Sequence, residues 1–264
     1  MYRILQQMKA MIFDLDGTIY NGSKLIPGAA DFIDLLTNME ITVRYYTNRS
    51  ALIPKQIADK LNRLGLKVSP EQVITSSQVT ACRLRGRTVF FIGGVALKAA
   101  LEDENVEFSD EYPDSVVFGH VDTLTRSTLK KAVRLIHHQG AGLIATNGDP
   151  WIIEDGIRVP GNGAFLAALE TACGRKAEIF GKPDPAGINM IVETLGLPPG
   201  EVLMLGDNEA TDIQSGVRAG IRTVLILTGV TSQKEALRSE ADWVVKDYSE
   251  LTGRILKEMK PVQK

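Results

Sequence analysis

Short apolar segments recur along this chain, and each ends in a polar or glycine-rich turn that leads into a helical pattern. Ala10–Phe13 runs into Asp14-Leu15-Asp16-Gly17-Thr18, and Ile41–Tyr46 into Thr47-Asn48-Arg49-Ser50. Val202–Leu205 runs into Gly206-Asp207, and Val224–Leu227 into Thr228-Gly229. Strands alternating with helices in this way predict an α/β fold, a doubly wound, Rossmann-like parallel sheet covered on both faces. The intervening helices are legible from their apolar spacing. Pro27 opens one carrying Phe32, Leu35, Leu36 and Met39. Ile57, Leu61 and Leu64 mark a second, closed by Gly65, and Ile188, Ile191, Val192 and Leu195 a third, closed by Gly196. Asp212 precedes a shorter one through Ile213 and Val217 towards Gly220.

The middle of the chain carries a second α/β set. Thr88–Ile92, Val116–Phe118 and Leu143–Ala145 read as strands, Leu129, Val133 and Ile136 line one helix, and Phe165, Leu166 and Leu169 another that stops at Gly174. Because this set lies between two parts of the first pattern, it is expected to be an inserted domain, residues 82–177. Residues 1–81 and 178–264 then form the outer, core domain.

At 264 residues the chain has room for one large domain or two modest ones, and needs no disulfide or structural metal to fold. Its 44% hydrophobic and 23% charged residues are the balance of an ordinary soluble globular protein. A formal net charge of −2 gives no reason to expect nucleic acid or an anionic membrane as partner. The longest apolar runs are strand-length and too short to span a bilayer. Met8-Lys9-Ala10 soon gives way to acidic Asp14 and Asp16, which leaves no long apolar segment of a secretion signal there. Cys82 and Cys173 have no pairing pattern and suit a reducing compartment as small core hydrophobes. A cytoplasmic protein is expected.

Asp14 and Asp16 follow an apolar strand, and residues two apart on an extended chain project to the same side. Two carboxylates there stand where open α/β sheets bind ligands, and they repel one another unless a cation lies between them. Magnesium suits such a site, since it prefers oxygen and usually binds through few carboxylates plus substrate phosphate. Asp16-Gly17 taken alone is also a common turn. Thr47-Asn48 closes the next strand, where a hydroxyl and backbone N–H groups could hold phosphate oxygens or simply cap a helix. Lys182, in Gly181-Lys182-Pro183, offers a compact positive charge suited to a phosphoryl oxygen, although a lysine alone would read as surface. Asp207 ends an apolar strand and is the natural third metal carboxylate. Asp212, five residues on, could cap the helix near Ile213 or support the site from behind the direct ligands.

The order Asp-x-Asp-Gly-Thr, Thr-Asn, Lys-Pro and Gly-Asp-x-x-x-Thr-Asp resembles the haloacid dehalogenase (HAD) superfamily. It is most similar to the phosphatases with a large α/β cap between the second and third motifs, the NagD-like subfamily. The resemblance covers nearly the whole chain. It implies a magnesium-dependent phosphatase of small phosphomonoesters (sugar phosphate, nucleotide or phosphoglycolate) acting through an aspartyl-phosphate. Asp14 would be the nucleophile and Asp16 the general acid and base. Thr47 and Lys182 would bind the phosphoryl group, with the backbone of Asn48 nearby. Asp14, the main-chain carbonyl of Asp16, and Asp207 would hold Mg2+. The second aspartate of the first motif argues against the dehalogenase members, which lack it.

Arg49 stands where many relatives carry a small or neutral residue, and could meet a second anionic group on the substrate or pair with a surface carboxylate. Asn147–Asp149 and Pro160–Gly163 resemble the family's substrate-facing loops, so Asn147 and Asp149 are expected to influence specificity. Relatives that dimerise through the cap make a homodimer one option and leave the oligomeric state open. His120, His137, His138 and Trp151 are expected to be structural or surface residues. Two other readings stand beside the phosphatase: a phosphoryl-transfer relative such as a phosphomutase, and a binding module with a silent site. A nucleotide-cofactor protein is poorly supported, because no Gly-x-Gly-x-x-Gly follows the first strand.

Overall fold

The structure, a computed structural model, describes residues 7–154 and 157–259. Its strands are, in chain order, β1 (Ala10–Phe13), β2 (Tyr20–Asn21), β3 (Lys24–Leu25), β4 (Thr42–Thr47), β5 (Val73–Thr75), β6 (Thr88–Ile92), β7 (Glu107–Phe108), β8 (Ser115–Phe118), β9 (Gly142–Ala145), β10 (Trp151–Glu154), β11 (Ile157–Pro160), β12 (Glu178–Ile179), β13 (Val202–Gly206), β14 (Arg222–Ile226) and β15 (Trp243–Val245). Six of them form one sheet in the order β15-β14-β13-β1-β4-β5, and five form another in the order β12-β9-β8-β6-β7. β1 pairs in parallel with β4 and β13, β13 with β14, and β14 with β15. β8 likewise pairs in parallel with β6 and β9. Two antiparallel hairpins, β2–β3 and β10–β11, stand apart from the sheets. The expected α/β class, with parallel sheets and helices between their strands, is the one observed.

In the six-stranded sheet β1 is central, and every residue of β1 and β13 is buried. A parallel strand covered on both faces needs such a continuous apolar run. The helix Ala29–Asn38 buries Ala29, Phe32, Ile33 and Leu36, a single face at helical spacing. Phe32 meets Phe13 with ring centroids 6.2 Å apart and Tyr248 at 5.4 Å, and burying a side chain of this size stabilises by roughly 1.5–3 kcal/mol. The chain leaves β1 for β4 on one side and reaches β13 on the other. β1 is therefore flanked by strands entered in opposite directions, the kind of position where α/β sheets open a crevice. Phe13 lies in register with Tyr45 and Leu205, so Asp14 and Asp207 emerge from neighbouring strand ends.

The five-stranded sheet alternates its side chains between two apolar clusters, as a period of two requires. Val116 and Phe118 pack with Leu135, Ile136, Leu143, Leu166 and Leu169, whereas Val117 joins Val89, Leu97, Leu101, Ile144 and Phe180. Ala81 and Leu84 belong to that second cluster as well.

The described chain divides into two compact units. One holds the residues up to Tyr46, Ala58–Val73 and those from Ile188 on; the other holds Thr47–Ile57 and Ile74–Gly187. The second unit is wider than the block 82–177 read from the sequence. It takes in the helix Ser76–Arg83, whose Ala81 packs in its core, and β12, which pairs with β9. The first few and last few residues of the outer ranges 1–81 and 178–264 lie outside the described residues. No helix among the described residues is long and apolar enough to cross a membrane.

Candidate active site

In the first unit, Asp14 follows β1 and its N–H donates to the Leu205 carbonyl at 2.9 Å, which ties it to the end of β13. Asp207 follows β13 directly. Asp14, Asp207 and Asp212 are buried, and each brings one carboxylate oxygen within 4.8 Å of the others. Hard oxygen donors this close and this buried match what a small divalent cation requires, and like charges so placed favour one. The site residues therefore fit magnesium.

Asp207 is held from two directions. Its Oδ2 accepts the Val230 N–H at 2.6 Å and its Oδ1 the Thr18 hydroxyl at 3.3 Å. Its carbonyl accepts the Thr231 N–H at 3.1 Å. The loop after β14 thus wraps Asp207, and Thr228 Oγ1 donates to the Gly17 carbonyl at 2.6 Å to close the ring. Gly17 has φ +89°, a conformation that L side chains rarely adopt, and a Cβ there would stand 2.4 Å from Asp207 Oδ2. A Cβ at Gly229 would stand 1.9 Å from the same oxygen. Asp212 does not cap the helix that follows it. The helical path starts earlier, as a π-type turn over Glu209–Ile213 capped by Asn208, whose side chain accepts the Ala210 N–H at 3.0 Å. Asp212 Oδ2 instead accepts the Asn208 N–H at 3.1 Å, and its carboxylate joins the metal-type cluster.

Asp16 is half-buried, and its carboxylate is not one of the three that cluster. Its Oδ2 accepts the hydroxyl of buried Tyr20 at 3.1 Å, and the Lys60 ammonium sits 3.5 Å above the Tyr20 ring centroid. Tyr248, from the helix Tyr248–Met259, donates to the Thr18 carbonyl at 3.0 Å. Burial, then the nearby Tyr45, Asp14 and Asp207, hold its hydroxyl well above the ordinary phenol range, so it stays a neutral donor. Sequence reasoning gave no role to Thr18, Tyr20, Thr228, Val230 or Tyr248, although Thr18 ends the Asp-x-Asp-Gly-Thr motif and Thr228-Gly229 was visible as the turn closing an apolar run.

Thr47, Asn48 and Lys182 fall in the second unit, all buried. Thr47 Oγ1 accepts the Arg49 N–H at 3.1 Å. The Asn48 side chain pairs with the backbone of Lys182, accepting its N–H at 2.9 Å and donating to its carbonyl at 3.0 Å. Asn147 is buried, and its Nδ2 donates to the Asn48 carbonyl at 2.9 Å. Asp149 accepts the Asn48 Nδ2–H at 3.1 Å. The structure thus gathers the residues expected to hold phosphate with those expected to read the substrate. Arg49 is half-buried beside them in the chain. His137 and His138 are exposed in the last turn of the helix Arg126–Gln139, and His120 Nε2 lies 3.3 Å from Asp122 Oδ1. Trp151 lies in β10 with the Arg158 guanidinium 3.9 Å above its ring, and both cysteines are free thiols.

Buried carboxylates clustered at the exits of adjacent parallel strands mark the chain as a hydrolase of the α/β kind. The chain matches the haloacid dehalogenase-like hydrolase family over residues 11–107 and a HAD-hydrolase-like family over residues 179–251. It belongs to the HAD superfamily. The acid sugar phosphatase of Staphylococcus epidermidis is 37% identical over 241 residues, 89% of this chain and 93% of that protein. The glycerol phosphate phosphatase of Mycobacterium tuberculosis, solved in complex with magnesium, superposes with a TM-score of 0.85 at 30% identity, over 94% of this chain and 77% of that one. NagD of Escherichia coli K-12 superposes with a TM-score of 0.85 at 28% identity, over 92% of this chain and 98% of that one. This chain is a NagD-like HAD phosphatase.

Proposed function

We propose that the enzyme is a magnesium-dependent phosphatase of small sugar-phosphate-type monoesters, working through a phosphoryl-aspartate on Asp14. The observation that carries this reading is the buried group formed by Asp14 and Asp207, at the ends of adjacent strands β1 and β13, with Asp212 from the turn that follows. The acid sugar phosphatase relatives support the substrate class, and the magnesium-bound neighbour supports the metal.

The chemistry is two in-line displacements. An Asp14 carboxylate oxygen attacks phosphorus, the bond to the ester oxygen breaks, and Asp16 gives its proton to the departing alkoxide. Asp16, now a base, takes a proton from water as that water attacks phosphorus. The bond to Asp14 breaks, and inorganic phosphate leaves. Asp14 and Asp207, with the carbonyl of Asp16, are the residues that would hold Mg2+, with Asp212 beside them. The ion supplies positive charge against the phosphoryl oxygens. Thr47 and Lys182 bind those oxygens, the lysine as a point charge on the equatorial oxygens of a phosphoryl group in transit.

Asp14→Asn is expected to abolish turnover with the fold intact, because an amide is a poor nucleophile. Wild-type protein is expected to lose activity on exhaustive chelation and regain it with Mg2+. A panel of phosphomonoesters ranks the substrates, sugar phosphates first. Substantial hydrolysis by folded Asp14→Asn would sink the covalent route, and activity that survives chelation would sink the metal.

A further inference from the structure

Asn48 holds Lys182 as a neighbouring strand would. One side-chain amide takes both the N–H and the carbonyl of the same residue, at 2.9 and 3.0 Å, across 134 positions of chain. Such an amide could sit either way round, and its surroundings fix which. Lys182 N–H requires an acceptor on one arm; Asp149, whose carboxylate only accepts when ionised, requires a donor on the other and receives it at 3.1 Å. The Asn48 carbonyl is occupied as well, by the Ser76 hydroxyl at 2.9 Å and by Asn147 Nδ2–H at 2.9 Å. Asn147 is itself fixed, its carbonyl accepting Asn162 Nδ2–H at 2.8 Å. Ser76, Asn48, Asn147, Asn162 and Lys182 are all buried. Gly181 permits the close approach, since a Cβ there would stand 2.3 Å from the Thr146 carbonyl oxygen and 2.6 Å from Asn48 Oδ1.

We propose that Asp149 and Asn147 are positioning residues for the phosphate-binding pair Thr47 and Lys182. They act through Asn48 and do not select the leaving group. The inference rests on the reading above, that Thr47 and Lys182 bind the phosphoryl oxygens. Without Asp149 the amide loses one of the partners that set its orientation and is held by the Lys182 backbone alone, so the flipped form becomes less costly. A flipped amide would turn an NH2 group towards the Lys182 N–H, and the backbone that carries the lysine would move to escape the clash of donors. Every monoester presents the same phosphoryl group, so the damage is uniform across substrates.

The test compares kcat and KM for an alkyl sugar phosphate and for 4-nitrophenyl phosphate, together with the inhibition constant of inorganic phosphate. It uses magnesium-loaded Asp149→Ala, Asp149→Asn, Asn48→Asp and Lys182→Met, with fold checked by circular dichroism. Asp149→Ala is expected to weaken phosphate inhibition and lower kcat/KM by about threefold to tenfold, the worth of one hydrogen bond, equally for both esters. Asp149→Asn keeps an oxygen for the Asn48 donor and is expected to restore most of that loss. Asn48→Asp sets a carboxylate against both Asp149 and the Lys182 carbonyl, and is expected to lose more than Asp149→Ala. A changed ranking of the esters with phosphate inhibition intact overturns the proposal, as does Asp149→Asn being as damaging as Asp149→Ala. If Lys182→Met leaves phosphate inhibition unchanged, the underlying reading of the lysine fails. If Lys182→Met weakens it and Asp149→Ala does not, only the positioning role fails. Should Asp149→Ala not fold, Asn48→Asp and Asn147→Ser carry the same comparison.

Discussion

Burying Asp14, Asp207 and Asp212 with oxygens within 4.8 Å of one another is costly, because like charges this close repel where little water screens them. A divalent cation relieves that cost, so the cluster's charge and its metal affinity are one quantity seen twice. Asp212→Asn removes one charge yet keeps an oxygen for the Asn208 N–H. It is expected to raise the Mg2+ concentration for half-maximal activity by about tenfold to a hundredfold, the usual effect of disturbing a ligand's surroundings. Titrating activity and heat of binding with Mg2+ measures it, and an unchanged requirement would reduce Asp212 to a backbone brace. Asp14 and Asp207 were legible in the sequence because each ends an apolar run at a strand's exit. Asp212 was only half legible. Apolar spacing assumes a helix of one pitch, whereas here a π-type turn starts at Glu209 and brings Asp212 back against Gly206. A Cβ on that glycine would stand 2.3 Å from the Asp212 Cβ. Nothing in a 3.6-residue pattern announces the extra residue of such a turn.

At the scale of elements, the loop after β14 does work that its own sequence does not suggest. Thr228-Gly229-Val230 supplies a hydroxyl to the Gly17 carbonyl and an N–H to Asp207, contacts made to residues distant in the chain. Only the turn itself was readable, since propensity and periodicity describe neighbours along the chain. Gly229→Ala puts a methyl 1.9 Å from Asp207 Oδ2 and 2.9 Å from the Gly17 Cα, so the loop or the carboxylate must shift. Overpacking of this kind costs about 1–3 kcal/mol of stability. The expected outcome is a folded enzyme with lowered Tm, a raised Mg2+ requirement and at least about a tenfold loss in kcat/KM, because small displacements at a reacting centre are amplified. Thermal melts and kinetics on the one variant decide it, and full activity would show that the loop has slack. Helices were easier. Ile188, Ile191 and Leu195 with a closing glycine gave the helix Ala186–Leu195 almost to the residue. By contrast, the hairpin β10–β11 went unread, because Glu154, Arg158 and Pro160 break up its apolar residues and a turn-rich stretch precedes it.

For the molecule as a whole, the two parallel sheets were readable because strands buried on both faces must be apolar throughout, as β1 and β13 are. The partition into units was less readable, because it depends on side chains that meet late in the argument of the chain. Arg83 is one: its guanidinium pairs with Glu178 at 3.2 Å and Asp184 at 3.1 Å, and stacks 3.5 Å from the Phe180 centroid. Burial also sets the response of the whole fold to alkali. Desolvation raises the Tyr45 hydroxyl, and burial with nearby charges raises that of Tyr248. A tyrosine in the unfolded chain titrates near pH 10, whereas these two hold their protons longer when folded. Their contribution is therefore fully present below about pH 10 and is lost as pH rises above it, by up to about 1.4 kcal/mol per pH unit for each. Tm is expected to be level from about pH 8 to 10 and to fall beyond, in step with tyrosinate absorbance, and Tyr248→Phe should shallow that fall. A Tm that holds level as the unfolded chain's tyrosines ionise would refute it. The tie from Asp149 to Asn48 bears on recombination as well. Swapping the inserted block between relatives is an obvious way to graft one enzyme's substrate range onto another's catalytic frame. In this chain a cut at residues 82–177 would carry away Asn147 and Asp149 while leaving Asn48 and Lys182 behind. A graft would keep its full rate only from a donor that brings the same asparagine and aspartate to the same place.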